Sequence, residues 1–218
     1  MNTLNKVKIS AIITSGGKSL RFGSNKLLVK LSDLSVIETT ILKFINHVDE
    51  IIIPSSDEIQ EFIKKSKLYS TKIKFAPPGS TRQKSVYNAI LNCSNPEIVL
   101  IHDGARPFID EEIIKKTIEM TYHYSAIVVG KMAVDTIKEV VFNSNGGKIV
   151  KTLNRKTIFQ AQTPQAFDYE LIKKIHQKYK DNPDFTDDSS MVENEGIDVY
   201  ILENNKKNIK ITTKDDLY

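Results

Sequence analysis

The sequence has little of what would place it in several common classes of protein. Its 218 residues include one cysteine, Cys93, so a disulfide framework within the chain is excluded, and its apolar surroundings predict a buried thiol. No apolar run approaches the roughly 20 residues that a transmembrane helix needs, and the segment before the first predicted strand is too short and polar for a signal peptide. We therefore expect a cytoplasmic protein with no membrane partner.

The chain also lacks the charge pattern and the residue clusters of several functional classes. Its net charge is +4, and its 31 basic residues are scattered rather than grouped, which argues against nucleic acid as a partner. Its four histidines show no Cys/His ligand spacing, and no Ser-His-Asp set is discernible. Neither a zinc site nor a serine-hydrolase mechanism is therefore indicated.

Short apolar runs alternate with helical patterns along most of the chain, which is typical of an α/β fold. Strands are predicted near residues 8–13, 50–54, 72–76, 97–101, 126–130, 159–164, 197–202 and 208–212. Capping patterns mark helix starts, with Ser35 three residues before Glu38 and Ser55 three residues before Glu58. Because strand and helix alternate, we expect a doubly wound, mostly parallel, Rossmann-like sheet with crossover helices.

One segment interrupts this alternation. Residues 135–141 and 148–153 are strand-like and flank a polar turn of asparagine, serine and glycine, which predicts a β-hairpin. We interpret the chain as one domain, 1–218, with a projecting hairpin arm at about 135–155. The pattern leaves two alternatives open for the arm: it packs on a second subunit, or it lies in solvent as a surface ribbon.

The loop after the first predicted strand combines glycines with positive side chains. Gly16, Gly17 and Gly23 allow the backbone to approach a ligand closely, and Arg21 and Lys26 add charge. Such a loop is typical of a polyphosphate site, since backbone N–H groups and cations together neutralise the charge of the ligand. The glycine spacing fits neither a P-loop nor a dinucleotide-binding fingerprint, so the loop by itself names no ligand.

Further glycine and polar residues follow other predicted strands, where the ligands of parallel sheets bind, or lie near the base of the predicted hairpin. They are Gly79, Ser85, Asp103, Arg106, Thr136, Thr163 and Lys210. An isolated aspartate after a strand is usually a cap or turn residue, but beside Arg106 a ribose or metal contact is also consistent with Asp103. His102 is interpreted as a packed strand-end histidine, and Asp187-Asp188 as first-turn helix acids. Together these residues indicate anionic substrates. A glycosyltransferase is disfavoured because the chain has no Asp-x-Asp motif.

Seven short motifs, taken together, resemble the 2-C-methyl-D-erythritol 4-phosphate cytidylyltransferases of non-mevalonate isoprenoid synthesis. They read GGKSLRFG (16–23), TRQKSV (81–86), IHDGARPF (101–108), DTIK (135–138), AQTPQAF (161–167), TDD (186–188) and NIKITT (208–213). They follow the family's order and span nearly the whole chain. Thr14-Ser15 departs from the pattern, since the family usually has alanines before the first glycine. The resemblance implies transfer of CMP from CTP to the sugar-alcohol phosphate, with release of pyrophosphate.

The resemblance also implies roles for individual residues. Contacts to the cytosine and ribose of CTP would come from Ser15, Gly16, Gly17, Gly79, Ser85, Asp103 and Gly104. Stabilisation of the α-phosphate and aiming of the acceptor phosphate would depend on Arg21, Lys26, Arg155 and Lys210. The acceptor would contact Arg106, Thr136, Thr163 and Thr186. Mg²⁺, with Asp103 as its ligand, would bridge the CTP phosphates. Arg155 and Thr186 would come from a partner subunit through the arm, so a homodimer would be required.

Two other functions remain open. The nearest is a ribitol-5-phosphate cytidylyltransferase, a sister family with similar loops, although Gly104-Ala105 and the sequence after Thr186 favour the isoprenoid enzyme. The other is a non-catalytic nucleotide-binding module, against which the presence of both Arg21 and Lys26 argues. The transfer itself needs no general base, because the attacking phosphate is already an anion at neutral pH, and this agrees with the lack of a convincing base.

Overall fold

The structure, a computed structural model, describes residues 7–16, 25–144, 146–182 and 185–217. The strands in these ranges are β1 (Ile9–Thr14), β2 (Glu50–Pro54), β3 (Ile73–Ala76), β4 (Ile98–Asp103), β5 (Ala126–Met132), β6 (Lys138–Asn143), β7 (Gly146–Thr152), β8 (Phe159–Asp168) and β9 (Tyr200–Glu203). The helices are α1 (Val36–Phe44), α2 (Asp57–Lys64), α3 (Arg82–Leu91), α4 (Glu111–Tyr124), α5 (Tyr169–Lys178) and α6 (Asp188–Glu193), with 3₁₀ turns at Lys26–Leu28, Arg155–Thr157 and Lys214–Leu217. Across these ranges, no helix combines the length and the apolar character needed to cross a membrane.

In the described part of the chain, seven strands form one sheet in the order β3-β2-β1-β4-β8-β5-β9. Neighbouring strands are parallel except where β8 pairs with β4 and with β5. β8 is antiparallel to β5 because the arm connects them in place of a crossover helix, so the chain returns beside the strand it has just left. The predicted doubly wound, mostly parallel α/β fold is confirmed, and the antiparallel strand is a feature that the alternation of elements did not indicate.

The core covers both faces of the sheet because successive strand side chains point in opposite directions. Ala11 and Ile13 of β1 pack with Ile41 of α1 on one face, whereas Ile12 packs with α3 on the other. Cys93 belongs to the second cluster and is 8% exposed, which confirms that it is a buried thiol. Burial raises the pKa of Cys93 to about 12, so the thiol stays protonated at neutral pH.

The two predicted capping patterns have different outcomes. Ser35 and Glu38 form the predicted capping box at α1, in which the Glu38 carboxylate accepts from the Ser35 backbone N–H at 2.9 Å. Ser55 is not a cap, because α2 begins after Ser56. The Ser55 backbone N–H instead donates to the Ala76 carbonyl at 3.1 Å and continues the pairing of β2 with β3. The prediction at Ser55 is wrong because strand-like pairing extends one residue past its expected end.

The arm and the final predicted strand also differ in outcome. The arm is present as a separate antiparallel pair, β6 and β7, inside the predicted 135–155 range. The predicted strand at 208–212 is wrong, since that stretch has no strand pairing and runs irregularly past the loop after β4. Its alternation of apolar residues does not mark a buried strand face, since Ile209 is 38% exposed. Ile211 is fully buried, and its N–H donates to the Ala105 carbonyl at 2.8 Å. We call residues 204–212 the lysine segment, because it carries Lys210.

Candidate active site

A cleft of about 1030 Å³ opens at the carboxyl ends of β1, β2 and β4. It is lined by eight of the residues predicted to bind the nucleotide or to take part in catalysis, namely Ser15, Gly16, Lys26, Gly79, Ser85, Asp103, Gly104 and Lys210. Gly17 and Arg21, from the same predictions, lie outside the described residues. The volume is at the upper end of the range of small-molecule sites. The fold therefore brings together, at one edge of the sheet, residues that are up to nearly the whole chain apart in sequence.

Asp103, at the end of β4, is the electrostatic centre of the cleft. Its carboxylate lies 2.9 Å from Lys210 Nζ, 3.3 Å from Arg106 Nε and 3.6 Å from Arg82 Nε. Burial raises the pKa of Asp103, but these three cations outweigh burial and hold the pKa well below its usual range. Asp103 is therefore ionised at neutral pH, and it holds together three positive side chains, of which Lys210 and Arg82 line the cleft.

Arg82 lines the cleft, although the sequence motif around it indicated no role for this side chain. Its Nη1 donates to Asp188 Oδ2 at 2.7 Å, so the guanidinium lies between two carboxylates, Asp188 and Asp103. Asp188 is fully buried, and its other oxygen lies 3.1 Å from His176 Nε2. Asp187 caps α6 and Asp188 lies in its first turn, as expected of helix-start acids, and Asp188 also forms an ion pair with Arg82. Spacing in the sequence carries no signal for a pair that is 106 residues apart.

The wall of the cleft beside α3 depends on the Gly79–Ser85 turn. The Gly79 N–H donates to Ser85 Oγ at 2.9 Å, and the Ser85 hydroxyl donates to the Thr81 carbonyl at 2.9 Å. A Cβ at Gly79 would lie 2.5 Å from both the Lys84 Cβ and the Ser85 nitrogen, so only glycine fits there. The predicted Gly79 and Ser85 are therefore paired with each other, and Thr81 caps α3 directly beside them.

The described ends of the first loop are fixed to other parts of the cleft. The Ser15 hydroxyl donates to the Pro54 carbonyl at 2.6 Å and is buried, so it is directed into the fold. The Gly104 N–H donates to the Thr14 carbonyl at 2.9 Å, which ties the ends of β1 and β4 together. Lys26 Nζ donates to the Ile211 carbonyl at 2.7 Å, so the loop also contacts the lysine segment.

Thr163 and Arg106, which were predicted to contact the acceptor, lie beneath the cleft floor and are not among the described residues that line it. The Thr163 hydroxyl is buried and accepts from the Asp103 N–H at 3.0 Å, while it lies 3.1 Å from His102 Nδ1. His102 Nε2 faces the Arg106 carbonyl at 3.1 Å, so Nε2 carries the proton and Nδ1 accepts from Thr163. Burial lowers the pKa of His102 to about 4, and the ring is neutral at pH 7. The interpretation of His102 as a packed strand-end residue is confirmed.

The remaining predicted acceptor residues are exposed and are not among the described residues that line this cleft. Thr136 stands before β6, and Arg155 stands after β7, where its Nη1 donates to the Val134 carbonyl at 2.6 Å. Thr186 is likewise exposed, just before the Asp187 cap of α6. The expectation that the arm would carry Thr186 is wrong, because the arm ends 34 residues earlier at Thr152. Of the two residues assigned to the arm, only Arg155 is adjacent to it.

No group of three or more histidine, cysteine, aspartate or glutamate side chains that could hold a metal ion occurs within the described ranges. Asp103 was the predicted Mg²⁺ ligand. Its carboxylate already faces Lys210, Arg106 and Arg82, and a dication would have to compete with all three. The described side chains therefore do not fit a metal site built by the protein alone, which is consistent with a magnesium ion held mainly by phosphate oxygens.

Comparison with known proteins gives one family for this arrangement. A family model for 2-C-methyl-D-erythritol 4-phosphate cytidylyltransferase matches residues 9–218. The enzyme of that name from Clostridium beijerinckii is 40% identical over 217 residues, which cover 96% of this chain and 95% of the relative. The one from Dictyoglomus thermophilum is 39% identical over 219 residues, which cover 96% of this chain and 94% of the relative.

Solved structures agree with the sequence relatives. The crystal structure of 4-diphosphocytidyl-2C-methyl-D-erythritol synthase from Anaerococcus prevotii has a TM-score of 0.83 and 32% identity, covering 97% of this chain and 93% of that one. The 2-C-methyl-D-erythritol 4-phosphate cytidylyltransferase of Francisella tularensis has a TM-score of 0.81 and 33% identity, covering 96% of each chain. The family match spans the β1–β4 cleft, the arm and the lysine segment. This chain therefore belongs to the 2-C-methyl-D-erythritol 4-phosphate cytidylyltransferase family.

Proposed function

We propose that this chain is the enzyme its family name describes: it transfers CMP from CTP to 2-C-methyl-D-erythritol 4-phosphate and releases pyrophosphate. The observation that carries the proposal is the cleft floor, where Arg82 and Lys210 lie beside one ionised carboxylate, Asp103, and where Lys26 lines the same cleft. A cleft that combines cations with glycine backbone suits two anionic substrates that must approach each other. The family membership supplies the identity of those substrates.

The reaction needs charge neutralisation and alignment more than proton transfer. A phosphate oxygen of the acceptor attacks the α-phosphorus of CTP, a new P–O bond forms, and the bond to the bridging oxygen breaks as pyrophosphate leaves. The nucleophile is already an anion, so no base has to remove a proton. The neutral, buried His102 is consistent with this chemistry. Catalysis then depends on holding two phosphates in line and on balancing the charge that develops between them.

We assign the described residues by where they lie relative to the cleft, and Gly17 and Arg21 by the resemblance alone. Backbone and side chains on the β1, α3 and β4 walls would hold the cytidine, namely Ser15, Gly16, Gly79, Ser85, Asp103 and Gly104. Gly17 would join them. Lys26 and Arg21 would neutralise charge at the α-phosphate, and Lys210 would direct the acceptor phosphate. Thr163 and Arg106 lie under the floor, so they would act by fixing Asp103 and the lysine segment. Their substrate contacts, expected from the resemblance, become indirect in this proposal.

Magnesium enters the proposal as the counter-ion of the CTP phosphates. When bound there, the ion would reduce the charge of the triphosphate and of the leaving pyrophosphate. Asp103 as its protein ligand stays a prediction, and no step is assigned to it. The protein's own contribution is the set of cationic side chains at the cleft, Lys26, Arg82 and Lys210.

The homodimer is part of the same proposal. Thr136 and Arg155 are exposed near the base of the arm, away from the cleft lining described for their own chain. A partner's arm that carried these two residues to the cleft would complete the acceptor site. Apolar arm side chains support this arrangement, since Phe142 is 81% exposed and Val141 is 57% exposed. In this proposal residues 1–218 form one domain, and the arm is its dimerisation element. The enzyme would act in the cytoplasm.

The function is tested by pyrophosphate release from CTP in the presence of candidate acceptors. We expect pyrophosphate release to require 2-C-methyl-D-erythritol 4-phosphate. The acceptor joined to cytidine through a diphosphate should appear by ³¹P NMR in the same amount as pyrophosphate. Ribitol 5-phosphate, offered in competition, should be the poorer acceptor. A preference for ribitol 5-phosphate would show that the chain is a ribitol-5-phosphate cytidylyltransferase. CTP binding without any turnover would favour a non-catalytic module.

The assigned cations give a second measurement. Lys26→Ala and Arg21→Ala should each lower kcat by about 10²–10³-fold, because each removes a positive side chain that would stabilise the negative charge developing at the α-phosphate. Lys30→Ala is the control, since Lys30 is an exposed lysine four residues after Lys26 and outside the cleft. Circular dichroism should show all three variants folded. Near-normal turnover of Lys26→Ala would remove Lys26 from the proposed mechanism.

A further inference from the structure

The lysine segment reaches the cleft without regular secondary structure, so something other than a strand ladder must fix its conformation. Backbone hydrogen bonds hold it at two points: the Asn204 N–H donates to the Gly130 carbonyl at 2.7 Å, and the Ile211 N–H donates to the Ala105 carbonyl at 2.8 Å. These two points are seven residues apart. Lys210, whose Nζ must lie within 2.9 Å of Asp103, stands near the end of that interval.

Asn208 occupies the interval between these points and is 2% exposed. Its Nδ2 donates to Gln162 Oε1 at 2.9 Å and to the Thr163 carbonyl at 2.9 Å, so it is bound to two successive residues of β8. A backbone carbonyl can only accept a hydrogen bond, so the amide nitrogen must be the atom that faces Thr163. The Asn208 side chain therefore replaces a missing strand partner by capping the backbone of β8 directly.

The main chain of Asn208 has a second function. Its carbonyl accepts from Arg106 Nη1 at 2.8 Å, and Arg106 Nε lies 3.3 Å from Asp103. Two residues later, Lys210 reaches the same carboxylate. Since two residues span at most about 7 Å, fixing Asn208 strongly restricts where the Lys210 backbone can lie. Asn208 is thus connected to two of the three cations around Asp103, to Arg106 through its main-chain carbonyl and to Lys210 through two residues of backbone.

We propose that Asn208 is a positioning residue for the transfer reaction: it aims Lys210 at the acceptor phosphate by anchoring the lysine segment to β8. The inference rests on the proposed role of Lys210. Asn208 itself is buried, and the proposal does not require it to contact the substrate. Its expected effect is therefore on alignment, and displacement of a catalytic group by about 1 Å can cost on the order of 10²-fold in rate.

Asn208→Ala should lower kcat by about 10- to 100-fold and raise KM for the acceptor, while KM for CTP stays within about threefold of its original value. Loss of folded enzyme alone would lower the apparent kcat and leave both KM values unchanged. All assays are run well below the melting temperature of the least stable variant. Unchanged kcat and acceptor KM in Asn208→Ala would overturn the proposal.

Two asparagines in the same segment provide matched controls. Asn204 is also buried, at 1% exposure, and its Oδ1 accepts from the Lys206 N–H at 3.0 Å, six residues from Lys210. Asn204→Ala should destabilise the fold to a similar degree, with less than a threefold effect on kcat. Asn205 is exposed, and Asn205→Ala should match the unaltered enzyme in both stability and turnover. If Asn204→Ala and Asn208→Ala impair turnover equally, Asn208 has only a general structural role.

A double-mutant cycle separates this inference from the proposed function. If Asn208 acts through Lys210, Asn208→Ala should cost at least threefold less in kcat when Lys210 is already alanine than when it is present. Full additivity would contradict the coupling. Normal turnover of Lys210→Ala would instead refute the role of Lys210 itself. An impaired Lys210→Ala beside a normal Asn208→Ala would refute the Asn208 inference alone.

Discussion

Buried carboxylates bind several donors at both ends of the parallel strands. At the cleft edge, Asp103 and Asp188 share Arg82, and their neighbours keep both ionised although burial opposes this. At the opposite edge, Glu50 is 3% exposed and accepts from Lys74 Nζ at 2.6 Å and Ser10 Oγ at 2.7 Å. A buried carboxylate with several donors stabilises a fold only while it is charged. These three residues therefore link folding to pH at two separate places.

Glu50 offers a pH test that is independent of catalysis. Burial raises its pKa, but donors from Lys74, Ser10 and Ser94 outweigh burial and lower the pKa from 4.5 to about 2. A folded-state pKa below the unfolded value means that this contribution is complete above about pH 4.5 and is lost as the pH falls through about 2. Glu50→Gln should lower the free energy of unfolding by about 2 kcal/mol at pH 7.

The measurement is urea unfolding at pH 7 and at pH 3. We expect the difference between the original chain and Glu50→Gln to shrink as the pH is lowered. Glu170→Gln is the control, because Glu170 is an exposed carboxylate at the start of α5. A difference that stays constant between the two pH values would show that Glu50 does not titrate in this range, and that its donors do not have the effect assigned to them.

At the scale of elements, the cleft exists because β1 and β4 end side by side and their loops cross closely. Thr14 pairs with Asp103 in the register of the two strands, and the next residue, Gly104, donates back to the Thr14 carbonyl. A Cβ at Gly104 would lie 2.6 Å from the Thr14 oxygen and 2.9 Å from Ile37 Cδ1. The loop after β4 therefore requires glycine for backbone approach, independently of any substrate contact.

Gly104→Ala should consequently destabilise the fold by about 1–3 kcal/mol, because the backbone oxygen of Thr14 cannot move aside without disturbing β1. Gly16→Ala is the matched comparison: among the described residues, a Cβ there would meet only Ser85 Oγ, at 3.9 Å, which is an ordinary contact. Thermal unfolding should show a lower Tm for the first variant and a nearly unchanged Tm for the second. Equal Tm values would mean that the loop after β4 relaxes more easily than its contacts indicate.

The elements themselves were largely predictable, and the exceptions have a common cause. The Ser35–Glu38 capping box and β2 follow from local patterns, and both are present as predicted. The 208–212 stretch has the same alternation of apolar residues as a strand, yet it finds no partner strand and is fixed by Asn208 instead. Local pattern indicates which stretches could form a strand, whereas pairing depends on what the rest of the chain places alongside.

At the scale of the whole molecule, the arm is the element whose apolar side chains the single chain leaves exposed. β6 and β7 form an isolated two-stranded pair, and such hairpins are at best marginally stable without packing. Phe142, Ile149 and Val150 are each more than half exposed. A second copy of this chain is the partner we propose, since it would cover these side chains and bring the arm base to the cleft.

Phe142→Asp should therefore convert a dimer to a monomer in sedimentation velocity and lower kcat at least about tenfold, because it places a charge in an apolar contact. Lys148→Gln, an exposed change on the neighbouring strand of the arm, should leave both properties unchanged. If the unaltered chain sediments as a monomer at assay concentration and is fully active, the shared-site arrangement is wrong. A dimeric Phe142→Asp would place the interface elsewhere.

The sequence alone determined the α/β class, the hairpin arm, the edge of the sheet where we propose that ligands bind and the set of short motifs that resemble one enzyme family. These follow from local periodicity, turn chemistry and residue order. Only the tertiary structure decided that β8 runs antiparallel, that Arg82 bridges Asp188 and Asp103, and that Thr163 and Arg106 lie beneath the floor. The physical reason is sequence separation: such contacts join residues up to about a hundred positions apart, and only the packed sheet brings them within hydrogen-bond distance.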